Sequence, residues 1–218
     1  MLTWDIWKSR CSKVFQNLHL DPQVVALWNF KAIHNMLISP TRNAGSSTPE
    51  APSQGTIWIP PLDPYLKVNV DIKFSSPDER FGAGYICRDT KGMFISAGTC
   101  SGSAGSSEQA ECAGILSAVQ WVGKQGLKCI ELETDCRAAV EFLNGNAANI
   151  SWVSTNLLNE ASDSLKNFEL SFVKFCNRLG NYAAHTLAQQ VNVAYLYPIQ
   201  YSNVPSLLSA QLNKDTLL

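Results

Sequence analysis

The chain has 218 residues, of which 45% are hydrophobic and 16% charged. That length supports one substantial core with chain to spare, and the composition is that of a globular protein low in charge. Seventeen basic against eighteen acidic residues leave a net charge of -1. This excludes a polybasic nucleic-acid binder that works through bulk charge, so any contact with phosphate must come from a local patch or from metal ions. Seven cysteines, at 11, 87, 100, 112, 129, 136 and 176, form no CxxC pair. Neither a zinc module nor a disulfide framework is therefore expected, and the expected location is intracellular, in nucleus or cytoplasm. No basic-then-apolar leader opens the sequence and no stretch is apolar for long enough to span a bilayer, so a membrane is not among the expected partners.

In residues 1–38, Trp4, Trp7, Cys11, Val14, Phe15 and Leu18 recur at three- and four-residue steps, one apolar face of a helix. Asp21-Pro22 opens a second helix as an N-cap followed by proline, with Val25, Trp28, Ala32 and Met36 along one side. Two short amphipathic helices cannot bury such tryptophans alone. They need a surface in the rest of the chain or on a protein partner. Residues 39–56 are rich in Ser, Pro, Gly and Asn and read as a flexible linker.

An alternating region follows, read as one domain over 57–193. Val68, Val70, Ile72 and Phe74 fall on one face of a strand, and Lys67, Asn69, Asp71 and Lys73 on the other. Gly84–Cys87 and Met93–Cys100 are two further strands, joined by the turn chemistry of Arg88-Asp89-Thr90-Lys91-Gly92. Ser106 with Gln109 is a capping box for a helix reaching about Gly123. Cys129–Thr134 is a fourth strand, and Asp135 begins a helix that ends at Asn144-Gly145. Another helix is expected over Ser154–Lys166, then a fifth strand over Phe168–Phe175, then a last helix capped by Asn181. Residues 194–218 show no clear period and read as a C-terminal tail. This order predicts an α/β fold: a mixed five-stranded sheet, three strands antiparallel and then parallel additions, flanked by helices.

Three carboxylates stand out by position. Asp71 lies inside a strand, where aspartate is uncommon. Glu111 is in the second turn of the helix capped by Ser106, and Asp135 is where the fourth strand ends. Taken singly, Asp71 reads as a solvated edge-strand residue, Glu111 as a solvated helix residue and Asp135 as an N-cap. If the first and fourth strands are parallel neighbours, Asp71 and Asp135 meet at one end of the sheet and the crossing helix aims Glu111 at them. Clustered carboxylates repel unless cations lie between them, and oxygen-only ligands favour Mg²⁺ or Mn²⁺. Two such ions, roughly 4 Å apart, suit the attacking and leaving oxygens of a phosphodiester.

From Trp58 to Gln190 the chain resembles the type 1 ribonuclease H family, in particular the plant ribonuclease H-like domain of reverse-transcriptase-like retroelement proteins. The resemblance is carried by Trp58-Ile-Pro-Pro61, Lys67-Val-Asn-Val-Asp71, Gly82-Ala-Gly84, Arg88-Asp89-Thr-Lys-Gly92, Ala110-Glu111, Glu133-Thr-Asp135, Arg178-Leu-Gly-Asn181 and Ala184-His185-Thr-Leu-Ala188. It extends to Trp4-Asp-Ile-Trp-Lys-Ser-Arg10 through Val14-Phe15. It implies a hydrolase that cleaves the RNA strand of RNA–DNA hybrids with two divalent ions. Asp71 would bridge both, with Glu111 and Asp135 completing the ligand set. His185 falls at the family's fourth carboxylate, where imidazole is a poorer Mg²⁺ ligand but suits proton transfer. Ile72 stands where the family usually has Gly or Ala, which puts bulk beside the site.

Ser103, Ser106 and Ser107 near a helix N-terminus, with Arg178 and Asn181, are candidate nucleic-acid contacts, Ser106 serving equally as a plain cap. Lys73 and Lys91 are candidate sources of local positive charge. A reading of another class remains open here: a catalytically inactive, retroelement-derived domain that binds nucleic acid or a protein, with the Trp-rich N-terminal helices as the contact surface.

Overall fold

A computed structural model describes residues 58–193 and 197–216. The expected N-terminal helices and linker lie outside the described residues. The elements are β1 (Leu66–Lys73), β2 (Phe81–Arg88), β3 (Phe94–Gly102), α1 (Ser107–Lys124), β4 (Cys129–Thr134) and α2 (Arg137–Leu143). They continue as α3 (Trp152–Leu165), β5 (Leu170–Phe175), α4 (Tyr182–Gln189), β6 (Ile199–Tyr201), a 3-10 turn at Ser206–Leu208, and α5 (Ser209–Thr216).

The strands form one sheet in the order β5-β4-β1-β2-β3-β6. β1 pairs antiparallel with β2, placing Asp71 opposite Gly84, and parallel with β4, placing Asn69 opposite Glu133. β4 and β5 are also parallel, with Thr134 opposite Phe175. The parallel pairs are reached through helical connections, α1 before β4 and α2 and α3 before β5.

Helices cover both faces. On one, Val68, Val70, Tyr85 and Cys87 pack against Ile115, Val119 and Leu158 of α1 and α3. On the other, Ile86 and Ala97 pack against Ala183, Ala184 and Leu187 of α4 and Leu208 and Leu212 near the C-terminus. Ser106 caps α1 by accepting the Gln109 N–H at 3.1 Å, and the Gln109 side chain in return accepts the Gly105 N–H at 2.8 Å. The turn between β2 and β3 is closed by Asp89, whose carboxylate accepts the N–H groups of Lys91 and Met93 at 2.8 Å each. Gly92 completes it at φ 77°, a conformation that favours glycine.

The sheet has six strands rather than the expected five. The sixth comes from the segment read as a tail: Ile199–Tyr201 pairs antiparallel with β3, and Leu208 and Leu212 then enter the core. A three-residue strand is too short to show alternation, which is why the pattern was invisible. Helix starts also moved. α3 begins at Trp152 behind a Ser151 cap, and α2 begins at Arg137 behind Cys136, so Asp135 is not a helix cap. The six described cysteines are all free, Cys87 and Cys112 buried.

Candidate metal centre

Asp71 lies near the end of a central strand, between β2 and β4, not on an edge. Its side chain points to the face covered by α4 and is only 4% exposed. Such burial requires partners for both oxygens. Oδ1 accepts the Ile72 N–H at 2.7 Å, and Oδ2 lies 2.9 Å from His185 Nδ1 on α4. With Asp71 ionised, Nδ1 must carry the proton and donate it.

Glu111 projects from the second turn of α1, and Asp135 stands directly after β4. The parallel pairing of β1 with β4 brings Asp135 beside Asp71, and α1 crosses to meet them. Ligand oxygens of Asp71, Glu111 and Asp135 all lie within 4.8 Å of one another. Burial and the negative charge of Asp135 raise the Asp71 carboxyl above the ordinary range, against the opposing pull of the Ile72 N–H and His185. Glu111 is pushed up to about 8 by burial first, then by Asp135 and Asp71, with Arg178 countering. The donor set is all oxygen, and its members disfavour one another's charge. A divalent cation fits both facts.

Ile72 does not crowd this centre. Strand alternation turns it to the opposite face, where it packs with Phe81, Ala83 and Ala110. There Gly114 of α1 makes room for it, since a Cβ at that position would stand 2.5 Å from Ile72 Cγ2. Asn181 is corrected as a candidate substrate contact. It is 0% exposed and donates its amide to the Val70 carbonyl at 2.8 Å, so it pegs α4 to β1 and cannot reach a ligand. Nor does its side chain cap α4. Ser103, Ser106, Ser107 and Arg178 are exposed, and Ser106 is occupied as the α1 cap.

The polar face of β1 is buried at Lys67, Asn69 and Asp71. Lys67 bridges Glu131 at 2.9 Å and Glu133 at 2.5 Å. Asn69 donates to Glu133 at 3.1 Å and accepts from Trp58 at 2.9 Å and from Arg88 at 3.1 Å. The Arg88 guanidinium sits 3.6 Å from the Trp58 ring centre and pairs with Asp215 of α5 at 2.6 Å. One sequence signal pointed here: Lys67 on one strand faces acids at alternate positions, 131 and 133, on another strand that the crossover makes its parallel neighbour.

Residues 69–191 match the family model described as reverse transcriptase-like. No curated protein matches the chain. Among solved structures, the chain is similar to the RNase H1 of the halophilic archaeon Halobacterium salinarum NRC-1, with 18% identity and a TM-score of 0.54 over 58% of this chain and 96% of that one. It is similar to the N-terminal RNase H domain of rv2228c from Mycobacterium tuberculosis, solved as a fusion with maltose-binding protein, with 16% identity and a TM-score of 0.53 over 57% and 91%. It is also similar to LC11-RNase H1, solved in complex with an RNA/DNA hybrid, with 13% identity and a TM-score of 0.53 over 58% and 95%. At these identities the structures establish the fold, and the family model covers more than half of the sequence. The chain belongs to the reverse transcriptase-like family, and its described domain has the ribonuclease H fold.

Proposed function

We propose that this chain is a metal-dependent endonuclease that hydrolyses the RNA strand of RNA–DNA hybrids. The observation that carries the reading is the convergence of Asp71, Glu111 and Asp135 at the sheet end where β1 and β4 finish. The fold likeness to LC11-RNase H1, itself solved with a hybrid, supports the substrate class.

Asp71, Glu111 and Asp135 would hold the divalent ions, with Mg²⁺ or Mn²⁺ the best match to an oxygen donor set. Two ions so held would supply charge neutralisation for the phosphate and acidify a water. In the reaction, the water oxygen bonds to phosphorus, the P–O3′ bond breaks, and the 3′ oxygen leaves as a hydroxyl. Asp71 is held rigid for this by its bonds to Ile72 and His185. His185 is thus a positioning residue for Asp71, as partners of ligating carboxylates commonly are. Glu111, raised by burial and by Asp135 and Asp71, would serve as a ligand in its ionised form. Ser103, Ser107 and Arg178 remain candidates for contacts to the phosphate backbone.

The test is cleavage of an end-labelled RNA–DNA hybrid by the full chain in Mg²⁺ and in Mn²⁺, beside single-stranded RNA and an Asp71→Asn variant. Hybrid-selective products, reduced at least about a thousandfold in the variant, are expected. No product in either metal from folded protein overturns the reading and leaves the inactive, binding-only alternative.

A further inference from the structure

The protein has almost no net charge, so its positive charges matter by placement. Among the described residues, acids are paired to Lys67, Arg88, Lys128, Lys166 and Lys174. Seven described cations enter no such pair: Lys73, Arg80, Lys91, Lys124, Arg137, Arg178 and Lys214. Of these, Lys73, Arg80, Arg137 and Arg178 stand at the same end of the sheet as the carboxylates. Lys73 ends β1, and Arg80 precedes β2, whose Gly82 is opposite Lys73. Arg137 opens α2 two residues after Asp135, and Arg178 follows β5. From β2 across to β5 this is three strand spacings, roughly 15 Å, about the reach of four or five phosphates on one strand.

Arg80 is held by donating to the Ser101 carbonyl at 2.9 Å and hydroxyl at 3.3 Å, whereas Arg137 is held by an aromatic ring, which leaves its N–H groups unspent. The Arg137 guanidinium lies 4.2 Å from the ring centre of Phe175, and Phe175 is in register with Thr134 beside Asp135. Phe175 is itself 39% exposed, so the stack faces solvent. Stacking fixes a guanidinium plane and leaves its edge N–H groups free to bind oxygen.

We propose that Arg137, stacked on Phe175, is a phosphate-binding residue for the nucleic-acid strand beside the carboxylate site, the ring-stacked member of a basic collar with Lys73, Arg80 and Arg178. This inference rests on the hybrid-cleavage reading. A charge-assisted Arg–phosphate contact would offset the repulsion between the acidic centre and the substrate.

The experiment measures the Kd of a fluorescein-labelled RNA–DNA hybrid as a function of salt, in the Asp71→Asn background so that binding is read without turnover. Arg137→Ala should weaken binding about five- to tenfold near 100 mM salt and reduce the log–log salt slope by about 0.7–0.9. Phe175→Leu should cost about two- to threefold with the slope unchanged, because the charge remains while its orientation is lost. Lys124→Ala, an exposed cation at the far end of α1, should change neither. An Arg137→Ala variant within twofold of its parent, or a Lys124→Ala variant equally weakened, overturns the inference, while the wider reading stands or falls separately on hybrid cleavage by the protein with Asp71 intact. Failure of the parent to bind hybrid at any salt overturns the inference as well.

Discussion

Gly84 holds the helix that carries His185. It sits on β2 opposite Asp71, with α4 packed directly upon it. A Cβ there would meet the Ala188 nitrogen, stand 2.6 Å from Leu187 Cβ and 2.7 Å from the Ala184 carbonyl oxygen. Ordinary contacts need about 3.5–4.0 Å. The methyl is therefore about 1 Å too close to three atoms, two of them helix backbone that no rotamer change can move. Overpacking of this kind costs roughly 1–3 kcal/mol, and the gain from replacing a strand glycine, about 0.5–1 kcal/mol, offsets only part of it. Gly84→Ala should therefore destabilise by about 1–2 kcal/mol in urea unfolding at unchanged m-value. A shift of α4 by 1 Å would also stretch the 2.9 Å bond between His185 and Asp71 beyond hydrogen-bond range. Gly82→Ala is the internal comparison. Its Cβ would stand 2.7 Å from Val191 Cβ and 3.1 Å from both Val191 Cγ1 and the Ala188 carbonyl oxygen, wider spacings than at Gly84, with the tightest contact to a residue past the end of α4. Gly82→Ala should cost less than Gly84→Ala. Equal stability of Gly84→Ala and the parent, or the reverse ranking of the two variants, would refute the account of α4 as docked by its backbone.

Three further outcomes are expected. The metal-free protein should lose stability as pH rises from about 5 to 8, by up to about 1.4 kcal/mol per pH unit, because folded Glu111 keeps its proton to about 8 while the unfolded chain releases it near 4.5. Urea unfolding in EDTA at about pH 5.5 and 7.5 checks this; Glu111→Gln must flatten the slope, and an unchanged slope would clear Glu111 of the penalty. Lys67→Met strands Glu131 and Glu133 without their buried cation and should cost about 3–5 kcal/mol, whereas Lys128→Met, from an exposed pair, should cost less than about 1; similar losses for the two would contradict the buried network. His185→Ala should lower the kcat of hybrid cleavage about 10–100-fold with hybrid Kd unchanged, and a change confined to Kd would remove His185 as the group that positions Asp71.

Much of the sheet was legible because alternation in Val68, Val70 and Ile72 and the short apolar run at Cys129–Thr134 are local signals. So was the carboxylate centre, since strand order alone brings Asp71 and Asp135 together. What local pattern does not carry is whether a strand's second face is covered. Lys67 and Asn69 alternate with apolar residues as on a half-exposed strand, yet Trp58 and the Arg88–Asp215 pair close over Asn69, and only the finished topology reveals it. Ile72 illustrates the opposite error. Adjacency in sequence suggested crowding beside Asp71, but alternation sends neighbours to opposite faces. Asn181 occupied a cap position, and the cap pattern gave no hint that its amide would turn inward to Val70. The closing segment was opaque for a different reason. Leu208 and Leu212 make one turn of apolar spacing, too little for a period to emerge.

The buried polar face of β1 shows why the acidic end calls for a cation from outside. Lys67, Asn69 and Asp71 share that face, each less than 5% exposed. The first two are satisfied from within: Lys67 by Glu131 and Glu133, Asn69 by Glu133, Trp58 and Arg88. Acids and bases balance there. At Asp71 the balance fails. Its neighbours Glu111 and Asp135 add negative charge, and no lysine or arginine among the described residues pairs with any of the three. A chain that neutralises buried charge so thoroughly two residues away has left one cluster uncompensated, at a cost that Glu111 registers by holding its proton to about 8. A structural network has no reason to stay incomplete in this way, whereas a site that must admit divalent ions and then a phosphate does.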